Sequence, residues 1–428
     1  MSRGLFAWLL GGILLFTLAA RLYRLNVPAG FYFDEVYSAF TAVGYLHGEK
    51  GAYWPWTPHA EGVGYQWVHP PLAGLLMAAA MKAGGENAVS WRLGSVLAGT
   101  AAVALAAALA LELFSFAPIA LFAAFFLSVD GLSFTQSRIA TNDGYFAAFA
   151  LLAVWSYVRW KKDRASLKNL ILTGLCLGLA AAVKWTAFYL FGVICLDLAL
   201  EFFTDRRAFL AGMTWPRAAG MALCWLALPV LIYIAAYSQF FLLGYDWGDF
   251  LALQREMWIY HTRLAETHTY QAGPLEWVFN LRPTWFYVDR SIPGKVANIY
   301  NTGNSAVYFA GLAAVFVAAR KFMRRREHRL LLTAYFMLWA PWLLAPRLMF
   351  FYHYTPAVPF LCILLAWLVE NLRNPGSPDY FNVRGGKALA WGITVLAFLW
   401  FALFYPLHTA LPVPERFAKA GCVSGETQ

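Results

Sequence analysis

Two carboxylates stand side by side in the segment FYFDEVYSAF, Asp34 and Glu35, shortly after the first apolar run. His69 follows in HPPL, Arg92 in SWRL, Arg138 and Asp143 in TQSRIATNDGYF, and Lys184 in AVKW. Arg347, His353 and Tyr354 come last, in RLMFFYHYTPAVPF. Each lies at the edge of an apolar run, and charged groups at the border of a bilayer need partners, water or a function. Together they offer cations that neutralise phosphate and a carboxylate that takes a proton from an attacking hydroxyl. An anionic lipid headgroup suits that mixture. No Gly-rich phosphate loop, zinc spacing or nucleophile elbow accompanies it.

Plainer roles stay open for the same residues. Asp34 and Glu35 are then an ordinary solvated pair at a helix start, and Asp143 caps the fourth helix. Arg138 and Lys184 snorkel as anchors, and His353 is a hydrogen-bonded interface histidine. The prolines after His69 mark a turn.

The elements that must position these groups are strongly apolar. Of 428 residues, 61% are hydrophobic and 13% charged, and the mean hydropathy is +0.54. Soluble domains hold roughly 45–50% apolar and about 25% charged residues, and one soluble core cannot hide so much apolar surface. That excludes a cytosolic enzyme, disorder and collagen-like repeats. The net charge of +10 follows the positive-inside rule rather than a nucleic-acid partner. Four of the five cysteines lie within apolar stretches and Cys422 lies in the tail, so no disulfide framework or metal spacing emerges.

Runs of spanning length, about 17–25 residues, fall at about 4–22, 91–112, 114–132, 143–160, 167–183, 186–203, 217–240, 304–320, 329–345, 354–371 and 387–407. The first reads as a retained helix rather than a cleaved signal peptide, because it is long enough to span and LAA before Arg21 is a mediocre cleavage site. Residues 70–84 are apolar but short, and a run of that length lies along the interface. With the N-terminus inside, more than half of the 33 Lys and Arg residues fall in short cytoplasmic connections. If 70–84 crossed, those clusters would face outward, against the positive-inside rule.

The expected fold is an all-α polytopic membrane protein of about eleven transmembrane helices. One domain covers 1–408, with large outer loops at about 23–90 and 241–303, the first carrying interfacial helices. Residues 409–428 form a short extracytoplasmic tail. In this topology the acids and bases of the opening motifs meet at the extracytoplasmic face. No repeat symmetry and few mid-span charges, Asp197 being one, argue for interfacial chemistry over a transporter or lipid flippase.

The ordered set FDE, HPPL, WRL (Trp91–Leu93), QSR…ND (Gln136 to Asp143), VKW (Val183–Trp185), IYNTGN (Ile299–Asn304) and YHYTPAVPF (Tyr352–Phe360) resembles the protein O-mannosyltransferase family. That family belongs to the GT-C class of polytopic, lipid-carrier-dependent glycosyltransferases. The likeness spans about 20–360, and its order and spacing make it specific. It implies eleven spans, an outer C-terminus and a donor whose mannose is β-linked through phosphate to a long polyprenol. The sugar then passes with inversion to Ser or Thr of a secreted or membrane protein.

By this resemblance Asp34 is the catalytic base and Glu35 helps to position substrate. Arg92 and Arg138 sit in matching motifs and are expected at the donor phosphate. Electrostatics adds Lys184 and His353 to that pocket. Asp143 matches the second acidic position of the class, where some members hold a divalent metal and others do not, so no metal or other cofactor is assigned. His69 and Tyr354 are expected beside the substrate. The chain departs from the family in lacking room for a MIR module, since loop 241–303 has only about sixty residues. It also reads HY where many relatives have HHY, and GNS where many have GNP. These features imply a bacterial-type enzyme of the plasma membrane. Transfer to a glycolipid or cell-envelope polymer is the alternative within the same chemistry.

Overall fold

The computed structural model describes residues 1–263, 267–345 and 347–417. Each of the eleven expected runs carries a helix. Among the described residues, five helices have the length and hydropathy to cross a bilayer alone: Arg3–Leu22, Ala88–Phe114, Ala187–Thr204, Trp215–Ala236 and Gly386–His408. Helices Ala117–Ser128, Leu167–Val183 and Ser305–Ala319 are apolar but shorter. Trp8, Leu15, Phe188, Leu399 and Leu403 stand uncovered on the long helices, as lipid-facing side chains do. The chain is an integral, multi-pass membrane protein with a mostly helical fold.

The centre of the bundle is the helix Val358–Arg373, buried on every side from Val358 to Leu372. A helix apolar all round has no solvent face, and this one packs against Ala117–Ser128 and Ser305–Ala319. Ala88–Phe114 contains the run AGTAAVALAAALA and packs closely on Asn142–Lys162 and Ala117–Ser128. Small side chains let backbones approach in a membrane, where packing rather than water drives association. Gly174 shows how tight this is, because a methyl group there would lie 1.7 Å from the Cys224 carbonyl oxygen.

The short apolar run is a 13-residue helix, Leu72–Gly84. At 1.5 Å per residue it reaches about 20 Å, short of the roughly 30 Å hydrocarbon core. It packs between Glu35–His47 and Ala88–Phe114. Together with Glu35–His47 it gives residues 23–90 two helices.

Residues 241–303 add a small sheet to the mostly helical fold. After the helix Trp247–Arg263 they form a hairpin of β1 (Thr284–Asp289) and β2 (Lys295–Asn301), to which the tail adds β3 (Val413–Pro414). The sheet is antiparallel in the order β1-β2-β3. TWFYVD and KVANIYN are rich in aromatic and β-branched residues, which suit a half-buried pleated surface. Phe286, Ala297 and Ile299 pack with Tyr32, Ile139 and Ala410, so the sheet sits against the FYFDE segment. Of the tail, 418–428, including Cys422, lies outside the described residues.

Candidate active site

Asp34 immediately precedes the helix Glu35–His47. Its carboxylate does not cap that helix and instead lies beside the Tyr352 hydroxyl, which favours its charged form. Burial pushes the Asp34 carboxyl up to about 7, and the nearby Asp143 charge adds to the rise. The Tyr352 hydroxyl and the Lys184 ammonium hold it down in part. A carboxyl titrating near neutrality is suited to general base work.

Glu35, the adjacent carboxylate, faces the opposite way and is fully buried. Its oxygens accept from Arg92 Nε and Nη2, both at 2.7 Å, and from the Ala140 amide at 3.0 Å. The rest of the Arg92 fork reaches Leu25 O and Pro28 O at 2.8 Å and Gly30 O at 3.0 Å. All five guanidinium donors are thus committed to protein acceptors. This corrects the expectation for Arg92, which braces the first loop rather than offering donors to a phosphate. Ser38 adds a hydroxyl bond to the Ala140 carbonyl, so Glu35–His47 is tied to the turn before Asp143.

Arg138 is also engaged by backbone carbonyls. Its Nη1 donates to Arg21 O at 2.5 Å and Tyr23 O at 2.7 Å, the last carbonyls of the helix Arg3–Leu22. Those carbonyls lack partners within the helix, and a cation there complements the helix dipole. Arg138 therefore seals the end of the first helix.

Lys184 ends the helix Leu167–Val183. Its Nζ lies 2.8 Å from Asp143 Oδ1, in the first turn of Asn142–Lys162, and 6.0 Å from the centre of the Tyr352 ring. The second acidic position thus holds a side-chain cation. Among the described residues no group of three or more His, Cys, Asp or Glu is arranged to hold a metal ion.

Beyond Lys184 lies a basic cluster that draws on loop 241–303. Arg347 Nη1 is 2.5 Å from His261 Nδ1, and the His261 and His69 rings stack with centroids 5.3 Å apart. His353 stacks on Trp277 at 5.8 Å and on Tyr352 at 4.9 Å. Burial, then the Arg347 and Lys184 cations, hold His261 down at about 4, and burial with the neighbouring cations and histidines keeps His69 and His353 well below the usual imidazole range. The three imidazoles are neutral beside two cations. The His69 Nδ1 is buried without a hydrogen-bond partner among the described residues, which leaves a polar atom ready for a ligand.

Tyr354 is a further correction. It points into the bundle, with its hydroxyl 2.7 Å from that of Tyr335. Phe351–Tyr354 is a 3₁₀ turn, in which residues three apart eclipse. Phe351 and Tyr354 therefore share the buried side, and Tyr352 turns toward Asp34. The sequence reading missed Tyr352 and His261 as site residues. Tyr352 was hidden by the choice between two tyrosines in one motif, and His261 is a lone histidine on a helix without a motif. Tyr260 reaches the cluster too, with its ring 5.8 Å from the Arg347 guanidinium, whereas Trp247 and Trp258 are exposed.

Comparison with known proteins identifies the family and the fold. A family described as dolichyl-phosphate-mannose-protein mannosyltransferase matches residues 12–243, and the C-terminal four-transmembrane region of protein O-mannosyltransferase matches residues 246–420. The polyprenol-phosphate-mannose–protein mannosyltransferase of Mycolicibacterium smegmatis is 25% identical over 411 residues, covering 81% of this chain and 79% of the relative. That of Mycobacterium tuberculosis is 25% identical over 426 residues, covering 82% and 78%. In fold the chain is similar to the Saccharomyces cerevisiae Pmt1–Pmt2 complex bound to its sugar donor, with a TM-score of 0.81, 16% identity and coverage of 98% of this chain and 92% of that one. It is also similar to ArnT from Cupriavidus metallidurans bound to undecaprenyl phosphate, with a TM-score of 0.61, 12% identity and coverage of 93% and 63%. The fold is that of the GT-C glycosyltransferases, and the chain belongs to the dolichyl-phosphate-mannose–protein mannosyltransferase family.

Proposed function

We propose that this chain transfers mannose from a polyprenyl-phosphate carrier to Ser or Thr hydroxyls of secreted or membrane proteins. The work is done at the extracytoplasmic face of a bacterial plasma membrane that the chain crosses eleven times. The observation that carries this reading is the Asp34 carboxyl, held near neutrality beside a cluster of Lys184, Arg347 and three neutral histidines. The mycobacterial relatives are named for this donor and a protein acceptor.

In the proposed reaction Asp34 accepts the proton of the acceptor hydroxyl as its oxygen attacks the anomeric carbon. The bond from that carbon to the phosphate oxygen breaks on the opposite face, which inverts the configuration. The departing phosphate gains a negative charge, and Lys184 and Arg347 stabilise it, with His69, whose Nδ1 is buried without a partner among the described residues, as a further hydrogen-bonding group. Base catalysis contributes typically 10²–10⁴-fold, and one preorganised donor at a developing charge about 10²–10³-fold. No covalent enzyme intermediate is required. Glu35, Arg92 and Arg138 keep the loop and the first helix in register with this centre.

The test offers the purified chain radiolabelled polyprenyl-phosphate-mannose together with two acceptors, a Ser/Thr-rich peptide and a membrane glycolipid extract. Label on the peptide supports protein mannosylation. Label on lipid alone moves the activity to envelope glycolipid synthesis by the same mechanism.

A further inference from the structure

Phe33 lies immediately before Asp34 and has φ of +48°, a left-handed conformation that bulky side chains rarely adopt. Such strain persists only where the surroundings impose it. Here the surroundings are aromatic. The Phe33 ring lies 4.0 Å from the ring of Phe286 at an interplanar angle of 19°, and edge-on to Phe350 and Tyr352 at 6.4 and 6.1 Å.

Phe286 has an unusual position of its own. The β1–β2 register pairs Trp285 with Tyr300 and Tyr287 with Ile299, so Phe286 is the extra residue of a bulge. Bulges re-aim side chains and collect beside active sites. The ring turned inward by this one is buried. A strained backbone and a β-bulge, 253 positions apart in the chain, thus meet in one parallel stack.

We propose that Phe286 is a positioning residue that acts through Phe33 to hold the Asp34 carboxylate against the Tyr352 hydroxyl. The proposal rests on the assignment of Asp34 as the base. From below, Glu35, Arg92 and Ala140 fix the start of the helix. From above, the stack fixes the residue that leads into it, and Tyr352 packs in the same aromatic group. Asp34 lies between two restraints, and only the upper one reaches the residue beside its carboxylate.

The test measures kcat, donor KM and pH–rate profiles for Phe286→Ala, Phe286→Leu, Phe286→Tyr and Phe33→Gly, with Asp34→Asn in the same series. A displacement of about 1 Å at a reacting group can lower the rate up to about 100-fold. The expected result for Phe286→Ala is a kcat roughly 10- to 100-fold lower, a donor KM within about twofold of the parent and a pH midpoint moved upward as the Tyr352 hydroxyl moves away. Phe286→Tyr keeps the ring and restores kcat, whereas Phe286→Leu keeps volume without a flat face and does not. Phe33→Gly relieves the left-handed strain, so its thermal stability is kept while kcat falls.

An unchanged kcat and pH profile in Phe286→Ala, with Asp34→Asn inactive, overturns the positioning role alone. A loss confined to donor KM overturns it as well and gives the hairpin to the donor site. Turnover surviving in Asp34→Asn overturns the base assignment and the positioning role with it.

Discussion

Glu35 and Arg92, 57 residues apart, form a buried bidentate pair with both N–O distances at 2.7 Å. Two neighbouring carboxylates are thereby given opposite tasks, since Glu35 is locked to an arginine and Asp34 is left facing the cluster. Removing one partner of a buried pair strands a charge and costs about 3–5 kcal/mol, whereas removing both is often close to neutral. Arg92→Leu is therefore expected to lower thermal stability strongly in detergent, and the double variant with Glu35→Leu to recover much of the loss. Unchanged stability with weakened donor affinity would return Arg92 to the phosphate.

Activity should follow the Asp34 titration. The base works when deprotonated, so kcat/KM rises with pH through a midpoint of about 7. The Tyr352 hydroxyl stabilises the carboxylate, and Tyr352→Phe moves the midpoint upward. The variant is then most impaired at neutral pH and approaches the parent at alkaline pH. A midpoint that moved downward in pH–rate profiles would contradict the contact.

Stability should depend on the same group with the opposite sense. An unfolded Asp titrates near 4 and the folded Asp34 near 7, so between these values the folded state holds a proton that the unfolded chain has released. The stabilisation is full below about pH 4 and is lost as pH rises to 7. Asp34→Asn cannot ionise, and it should melt above the parent at pH 8 and level with it near pH 4. Thermal unfolding at the two pH values checks this, and equal melting at pH 8 would count against a buried carboxyl.

Lys184 and Arg347 can be separated by what each touches. Hydrogen bonds to charged groups contribute about 1.5–3 kcal/mol, or roughly 10- to 100-fold in affinity. Arg347→Ala should raise donor KM by that factor and leave the pH midpoint in place. Lys184→Ala should also raise the pH midpoint, because Asp143 is then uncompensated beside Asp34. Steady-state kinetics with donor across pH distinguishes them, and an unchanged donor KM in both would remove them from the phosphate.

Much of the architecture was legible because it rests on composition and period. Apolar run length located the helices, and the short run at 70–84 marked a helix too short to span. Asp34, Asp143, Lys184 and His353 stood out as ionisable residues at run ends, and the fold brings them together. Arg92 and Arg138 stood out for the same reason, yet a sequence does not reveal that backbone carbonyls at Leu25, Pro28, Arg21 and Tyr23 will accept from their guanidinium groups. The choice of Tyr352 over Tyr354 depends on a 3₁₀ turn, where one residue of phase reverses inside and outside. His261 joins the cluster only through tertiary packing of a helix without a motif. The hairpin was masked because its strands, TWFYVD and KVANIYN, lie in a loop whose aromatic residues also suit a membrane interface.

The central claim is that Asp34 is the base of a sugar transfer from a polyprenyl phosphate. Its most direct test compares Asp34→Asn with the parent in nanodiscs, measuring donor binding and single-turnover transfer of labelled mannose to a Ser/Thr-rich peptide. The account predicts donor affinity within a few-fold of the parent and transfer lowered by at least about 10²-fold. Transfer at near the parental rate, with donor bound equally well, would contradict it.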